Sequence, residues 1–269
     1  MDVGYRRSVR IDLNADLGEG FGAWTAGDDL TLLGVVTSAS IACGFHAGDP
    51  TTMRRSCERA AENDVAIGAH VGYADLAGFG RRFLDVAPSD LEADVLYQVA
   101  ALDGFARAAG SRVSYVKPHG ALYHAVATHP GQAAALVAAL TAYGSGVVLL
   151  HQPDALALRL ATDAGLATAT EAFADRSYRP DGTLVPRGEP GAVLHDPAEI
   201  AARVVALART GTVRAVDGST VPVAADSVCV HGDTAGAVAI ARAVREALVT
   251  AGVTLAPFAP SAPSAPSAG

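Results

Sequence analysis

Short apolar runs alternate with amphipathic stretches along most of the chain. Several runs are continuously apolar, which is typical of parallel strands covered on both faces. Seven of the runs predict β-strands, at 10–17, 39–45, 65–71, 112–118, 146–151, 167–173 and 227–231. Strand–helix alternation of this kind predicts a parallel sheet, either open or closed into a barrel.

Helix start signals fall between these runs. Asp-Pro pairs at 49–50 and 196–197 each supply an N-cap and a proline for the first turn. Ser89 and Glu92 have the spacing of a capping box. Asp233 precedes the last amphipathic stretch and is predicted to cap it. We therefore expect a helix to begin at each of these places.

Two Gly/Pro-rich segments, near 181–194 and 212–224, interrupt the alternation and predict hairpin insertions. No linker and no internal repeat divides the chain, so we predict a single domain over 1–255. Residues 256–269 repeat Ala, Pro and Ser. Such a segment cannot bury a core, so we predict a disordered tail.

Composition narrows the class of protein. Half of the residues are apolar, and the net charge is −8 without a basic cluster, so we expect a sizeable core and no nucleic-acid partner. The three cysteines are scattered without a CxxC pair, which disfavours a disulfide framework or a thiolate zinc site. The N-terminus lacks the apolar segment of a secretory signal. The uncharged stretch 131–150 contains a Gly/Ser turn, which favours a buried helix and strand over a membrane span, so we predict a cytoplasmic protein.

Polar side chains collect where the predicted strands end, and five of the eight histidines are among them. In parallel α/β folds the loops at the carboxyl ends of the strands converge on the active site. We therefore expect these side chains to lie close together. They are Asn14, Asp16, Glu19, His46, His70, Lys117, His119, His151, Glu171 and His231.

Three interpretations of this cluster stay open at the level of sequence. Aspartate and histidines can bind a divalent metal that activates water. Lysine, histidines and carboxylates can act without a metal on an acyl centre. The pocket can also serve only to bind a small polar ligand, in which Arg81 or Arg82 would hold a carboxylate or phosphate. The chain contains neither a P-loop nor a GxSxG motif.

Several motifs resemble the LamB/YcsF family over about residues 9–252. They are "IDLNADLGEGFG", "SASIACGFHAGDP", "GAHVGYADLAGFGRR", "YVKPHGALY", "EAFADRSYRPDGTLVPRGEPGAVLHD" and "VCVHGD". The resemblance implies a seven-stranded, TIM-barrel-like (β/α) barrel, similar to the glycoside hydrolase/deacetylase superfamily. It also implies ATP-dependent opening of the lactam of 5-oxo-L-proline to L-glutamate, with ADP and phosphate as the other products and with two further 5-oxoprolinase subunits, B and C, as partners.

This chemistry needs groups that move protons and stabilise charge. The strand-end residues predicted to be catalytic are Asp16, His46, His70, Lys117 and His119. Those predicted to bind the substrate are Asn14, Glu19, Arg81, Glu171 and His231.

A second resemblance, of "NADLG" to the first motif of YdjC-type deacetylases, implies a divalent metal. Its ligands would be Asp16, His70 and His119, although Leu17 stands where that motif has a second aspartate. Two alternative functions follow: a metal-dependent amidase or carbohydrate deacetylase, and a substrate-binding subunit without catalytic activity.

Overall fold

Seven parallel strands form a closed barrel in the computed structural model, which describes residues 9–144, 146–232 and 236–259. The strands of the chain are β1 (Arg10–Leu17), β2 (Ser38–Ala42), β3 (Ala66–Val71), β4 (Val113–Pro118), β5 (Val148–His151), β6 (Ala167–Phe173), β7 (Thr212–Arg214), β8 (Thr220–Pro222), β9 (Ser227–His231) and β10 (Thr254–Leu255). Strands β1 to β6 and then β9 pair in that order, and β9 pairs with β1 to close the barrel. The predicted seven-stranded (β/α) barrel is therefore confirmed.

Helices surround the barrel and cover its outer surface. They are α1 (Asp29–Leu32), α2 (Pro50–Glu62), α3 (Pro88–Ala108), α4 (Gly120–Thr128), α5 (Pro130–Tyr143), α6 (Leu156–Asp163), α7 (Pro197–Thr210) and α8 (Ala237–Thr250), with a 3₁₀ turn at Leu76–Gly78. Outward strand residues such as Leu13 and Val116 pack with helix residues such as Leu102 and Leu136 in the main hydrophobic core. None of the described helices has the length and hydropathy required to cross a membrane.

Two of the predicted helix caps are confirmed. The side chains of Asp49 and Asp196 each accept two backbone N–H groups from the first turn of their helices. The predicted capping box of Ser89 and Glu92 is wrong, because α3 begins one residue earlier, at Pro88, without a side-chain cap. Proline already has the φ angle of a first helical residue, so the helix starts there.

The remaining predicted cap, Asp233, lies outside the described residues. In the described structure Gly236 occupies the N-cap position of α8.

The two predicted insertions have different structures. Strands β7 and β8 form a short antiparallel pair within 212–224. The segment near 181–194 is an irregular loop instead of a regular hairpin, and isolated bridges join Arg176 to Val193 and Tyr178 to Leu184. Its four proline and glycine residues between 186 and 191 explain the difference, because they break a continuous hydrogen-bond ladder.

Residues 256–259, predicted to belong to the disordered tail, pack against the barrel instead. Strand β10 pairs with the start of β1 and brings this segment to the amino-terminal end of the barrel. There Ala259 is buried with Val148 and Leu150, and the Phe258 ring lies 4.9 Å from the ring of Tyr115. Phe258 is the apolar residue that composition arguments about the Ala/Pro/Ser segment overlooked.

Candidate active site

The predicted site residues converge at the carboxyl-terminal end of the barrel. Alternation along β1 turns Leu13 and Leu17 toward the helices, whereas Asn14 and Asp16 contact groups inside the barrel. The other strand-end side chains join them in one cluster of buried polar residues: Glu19, His46, His70, Lys117, His119, Glu171 and His231. Arg81 lines the pocket above this cluster.

Lys117 lies at the centre of the cluster and is the only lysine in the sequence. Its Nζ atom is 2.8 Å from Asp16 Oδ1, 3.0 Å from Glu171 Oε2 and 3.4 Å from Asn14 Oδ1. It also lies 3.1 Å from Cys229 Sγ. Burial alone would lower the pKa of Lys117, but the carboxylates raise it well above its usual value. The site therefore contains a permanent, fully buried ammonium group.

The His70 and His119 rings face each other through the nitrogens that they do not use for backbone contacts. His70 Nδ1 donates to the carbonyl of Lys117 at 3.0 Å, and His119 Nε2 donates to the carbonyl of Phe79 at 2.8 Å. The remaining ring nitrogens, His70 Nε2 and His119 Nδ1, are 3.0 Å apart. In two neutral rings both of these atoms would carry lone pairs. A proton or a metal cation is needed to make this contact attractive.

Glu19 Oε1 lies beside the same nitrogens. It is 3.3 Å from His119 Nδ1, 3.9 Å from His70 Nε2 and 3.3 Å from His46 Nε2. Burial would raise the pKa of Glu19, but its histidine partners lower it below the usual range, so the side chain is a carboxylate. Burial lowers the pKa of His46 to about 3, so this ring is neutral and donates to Glu19.

Asp16 connects the lysine to the histidine pair. Its Oδ2 atom is 3.5 Å from His70 Nε2, while its Oδ1 atom contacts Lys117. Burial opposes ionisation of both groups, but their mutual attraction raises the pKa of His70 and lowers that of Asp16. Asp16 therefore contacts His70 directly, whereas Glu19 is the carboxylate beside His119.

The packing of the histidines depends on two glycines. A Cβ atom on Gly72 would lie 2.7 Å from His46 Nδ1, and one on Gly80 would lie 2.7 Å from His46 Cβ and 2.9 Å from His119 Cδ2. These distances are too short for non-bonded atoms. Without side chains at these positions, the His46 and His119 rings stack with 3.7 Å between their centroids.

This donor set fits a divalent metal. Ligand atoms of Glu19, His46, His70 and His119 lie within 4.8 Å of one another. Two ligands of a tetrahedral zinc ion are separated by roughly 3.3 Å, close to the distances within this group. His46 fits least well, because a metal in the plane of His119 lies outside the plane of a ring stacked parallel to it. Of the predicted ligands, His70 and His119 belong to this group, and Asp16 adjoins it through His70.

Asp16 also belongs to a second group of metal-ligating side chains, with Cys229 and His231. His231 Nδ1 donates to both oxygens of Asp175, at 2.8 and 3.0 Å, and its ring stacks on Phe173. Burial would raise the pKa of Asp175, but His231 lowers it. In this arrangement a carboxylate fixes the orientation of a histidine that lines the pocket.

Sequence reasoning missed other residues of the pocket. Tyr123 stacks on His151 with 3.8 Å between centroids. Its hydroxyl and Glu171 Oε1 are buried and have no hydrogen-bond partner in the described part of the chain. Burial and the nearby Glu171 carboxylate keep the pKa of Tyr123 well above its usual value. Position 123 lies three residues inside α4, so no strand-end signal identifies it. Arg176 and Arg187 also line the pocket and were missed.

A parallel barrel with carboxylates, histidines and a lysine at its strand ends defines a class of active-site-bearing (β/α) barrels. A profile of the LamB/YcsF family matches residues 11–262. The chain belongs to the LamB/YcsF family, as its motifs predicted.

Curated relatives match nearly the whole chain, and the two described here carry the name of the A component of 5-oxoprolinase. The relative from Mycolicibacterium gilvum (strain PYR-GCK) is 60% identical over 248 residues, covering 92% of this chain and 98% of the relative. The relative from Paracidovorax citrulli (strain AAC00-1) is 58% identical over 251 residues, covering 93% of this chain and 100% of the relative.

A solved structure supports the fold. The lactam utilization protein from Thermus thermophilus superposes with a TM-score of 0.88 at 42% identity, covering 93% of this chain and 100% of that chain. The expected similarity to sugar deacetylases stays a prediction.

Proposed function

We propose that this chain is the A component of an ATP-dependent 5-oxoprolinase and that its barrel pocket opens the lactam of 5-oxo-L-proline. The observation that carries the proposal is the buried Asp16–Lys117–histidine cluster, in a chain that aligns with nearly full-length relatives bearing that name. Groups able to move protons are abundant in the pocket, and ligand binding alone does not require them.

The chemistry explains why ATP is needed. A lactam carbonyl is a poor electrophile because the ring nitrogen donates electrons into it. Transfer of the γ-phosphoryl group from ATP to the carbonyl oxygen releases ADP and activates the carbon. Water then adds to that carbon, the ring C–N bond breaks as the nitrogen takes a proton, and a second water releases phosphate to leave L-glutamate.

The geometry suggests a role for each group. His231, oriented by Asp175, accepts a proton from the attacking water. The proton shared between His70 and His119 is delivered to the departing ring nitrogen. Lys117 holds Asp16 and Glu171 in place and lowers the energy of negative charge that develops near them.

A divalent cation would be held by Glu19, His70 and His119, with Asp16 beside them. When bound, it would polarise a carbonyl or phosphoryl oxygen as a Lewis acid. The same ligand set favours the second candidate function, a metal-dependent amidase or carbohydrate deacetylase that needs no ATP.

The nucleotide is handled, on this proposal, together with the partner subunits B and C. The chain has no P-loop, and its only lysine is 2% exposed within the acidic cluster. ATP is thus a co-substrate of the assembly, and the phosphorylated lactam reaches this pocket.

The test is reconstitution. Glutamate release is measured with 5-oxoproline and ATP for the purified chain alone and after addition of both partner subunits. We expect release only when ATP and all partners are present. Deacetylation of an N-acetyl sugar by the chain with added divalent metal, together with no 5-oxoproline turnover in the full assembly, would favour the second function. Turnover that survives His119→Ala within a few-fold would favour a substrate-binding subunit.

A further inference from the structure

Three arginines line the same pocket as Lys117, within the part of the chain that the structure describes: Arg81, Arg176 and Arg187. They come from two loops. Arg81 follows the 3₁₀ turn after β3, and the other two belong to the irregular segment after β6. The pocket therefore combines the carboxylates of the strand ends with guanidinium groups from the loops.

Arg176 is the anchored member of this group. It is 5% exposed, and its guanidinium donates to the backbone carbonyls of Val185 at 2.6 Å and Ala192 at 3.3 Å. These partners are uncharged. Burial and the positive charge of Arg187 lower the pKa of Arg176, against the attraction of Asp175. Holding buried positive charges near one another is unfavourable unless an anion joins them.

Arg81 is connected to the histidines. Its guanidinium carbon lies 4.9 Å from the centroid of the Phe79 ring, and the carbonyl of Phe79 accepts the His119 Nε2 proton. The Phe79 ring also makes an edge contact with the His119 ring at 5.2 Å. A group bound at Arg81 would therefore be held at a defined position relative to His119.

We propose that Arg81, Arg176 and Arg187 form an anion subsite that binds the carboxylate of a cyclic-amide carboxylic acid and turns its amide toward Lys117 and the histidines. The identity of the substrate rests on the proposed function. The opposite orientation would bring the carboxylate against Asp16, Glu19 and Glu171, where like charges repel. Guanidinium groups suit a carboxylate because their paired N–H groups match its two oxygens.

A phosphate group has the same oxyanion chemistry, so the experiment separates the two sources. Binding to the purified chain is measured by titration for wild type, Arg81→Met and Arg187→Met. The probes are 5-oxoproline, 2-pyrrolidinone (the same ring without the carboxylate) and inorganic phosphate. Arg179→Met is the matched control, because this arginine lies in the same loop but pairs with Glu189 outside the pocket. Thermal melting verifies that each variant is folded.

We expect each pocket variant to weaken 5-oxoproline binding by about 10-fold or more, the loss of one charge-assisted contact. Binding of 2-pyrrolidinone should not change, and Arg179→Met should behave as wild type. Equal affinity of 5-oxoproline for wild type and both pocket variants would overturn the assignment. So would phosphate binding that depends on the arginines while 5-oxoproline binding does not.

Two further outcomes separate this inference from the proposed function. If wild type binds phosphate through the arginines but does not bind 5-oxoproline, the anion subsite stands and the proposed substrate is wrong. If wild type binds neither anion, the subsite itself is wrong, whatever the reconstituted assembly does.

Discussion

On strand β4, Tyr115 and Lys117 lie two residues apart and both point into the barrel, yet their surroundings differ completely. Tyr115 packs with Val148, Leu150 and the C-terminal segment at the amino-terminal end. Lys117 contacts carboxylates at the opposite end. Stability of the fold depends on the first end and chemistry on the second, which is the division expected of (β/α) barrels.

Strand β1 makes the same comparison one layer at a time. Asp12, Asn14 and Asp16 face inward in register with Ser227, Cys229 and His231 of β9. Asp12 accepts hydrogen bonds from the hydroxyls of Thr37, Ser38 and Ser227, so this carboxylate is satisfied by neutral groups. Asp16 instead meets an ammonium group and a histidine. The partner, more than the residue type, separates the supporting layer from the reactive one.

The largest effect is expected at Lys117. Lys117→Met should lower turnover of the assembled enzyme by about 10²-fold or more, because charge stabilisation is lost. Lys117→Arg should fail as well, since a planar guanidinium does not fit the site of a compact ammonium. Specific activity is measured on the folded fraction, because unpaired Asp16 and Glu171 also destabilise the fold. Near-normal specific activity with a sharply lower melting temperature would show that Lys117 is only structural.

A smaller loss of activity is expected from Asp175→Asn. The amide can hold His231 less firmly and favours a different tautomer, so turnover should fall by about 10-fold or more and its pH profile should change. Asp181→Asn, an exposed aspartate in the following loop that accepts from Thr183, is the control. A pH profile identical to that of wild type would remove His231 from the proton-transfer steps.

The amino-terminal end should respond in stability. A Cβ atom on Gly68 would lie 2.2 Å from the Tyr115 ring, so Gly68→Ala should reduce the free energy of unfolding by about 1–3 kcal/mol. Gly104→Ala is the matched control, because its Cβ meets nothing within 4 Å in helix α3. That variant should gain about 0.5–1 kcal/mol. If the two variants are equally stable, this end of the barrel is not tightly packed.

The smallest effect concerns pH and the Asp12 layer. Burial raises the pKa of Asp12 to about 6, against its hydroxyl hydrogen bonds. Because the folded-state pKa lies above the unfolded one, the stabilising contribution of Asp12 is complete at low pH and is lost as pH rises through about 6. The free energy of unfolding should therefore fall by about 1 kcal/mol between about pH 5 and 8, relative to Asp12→Asn. Parallel curves for both proteins, from denaturant titrations, would contradict this.

The strand pattern was readable from sequence because it is local. Three barrel strands, β1, β6 and β9, have the predicted bounds. Strand β2 ends at Ala42 instead of 45, because Gly44 adopts a φ of 94° that turns the chain. The segment 131–150 is a helix and a strand, as predicted, since the turn residues within it override its uniform hydropathy.

The sequence by itself determined which side chains stand at strand ends and which face each strand turns inward, because alternation and turn chemistry act over a few neighbouring residues. Tertiary structure decided the partners. Asp16 meets Lys117 across 101 positions, and His231 meets Asp175 across 56. Phe258 closes the far end from a segment whose composition predicted disorder. These contacts depend on barrel closure and strand register, which follow from the packing of the whole chain and leave no mark at the spacing of any single motif.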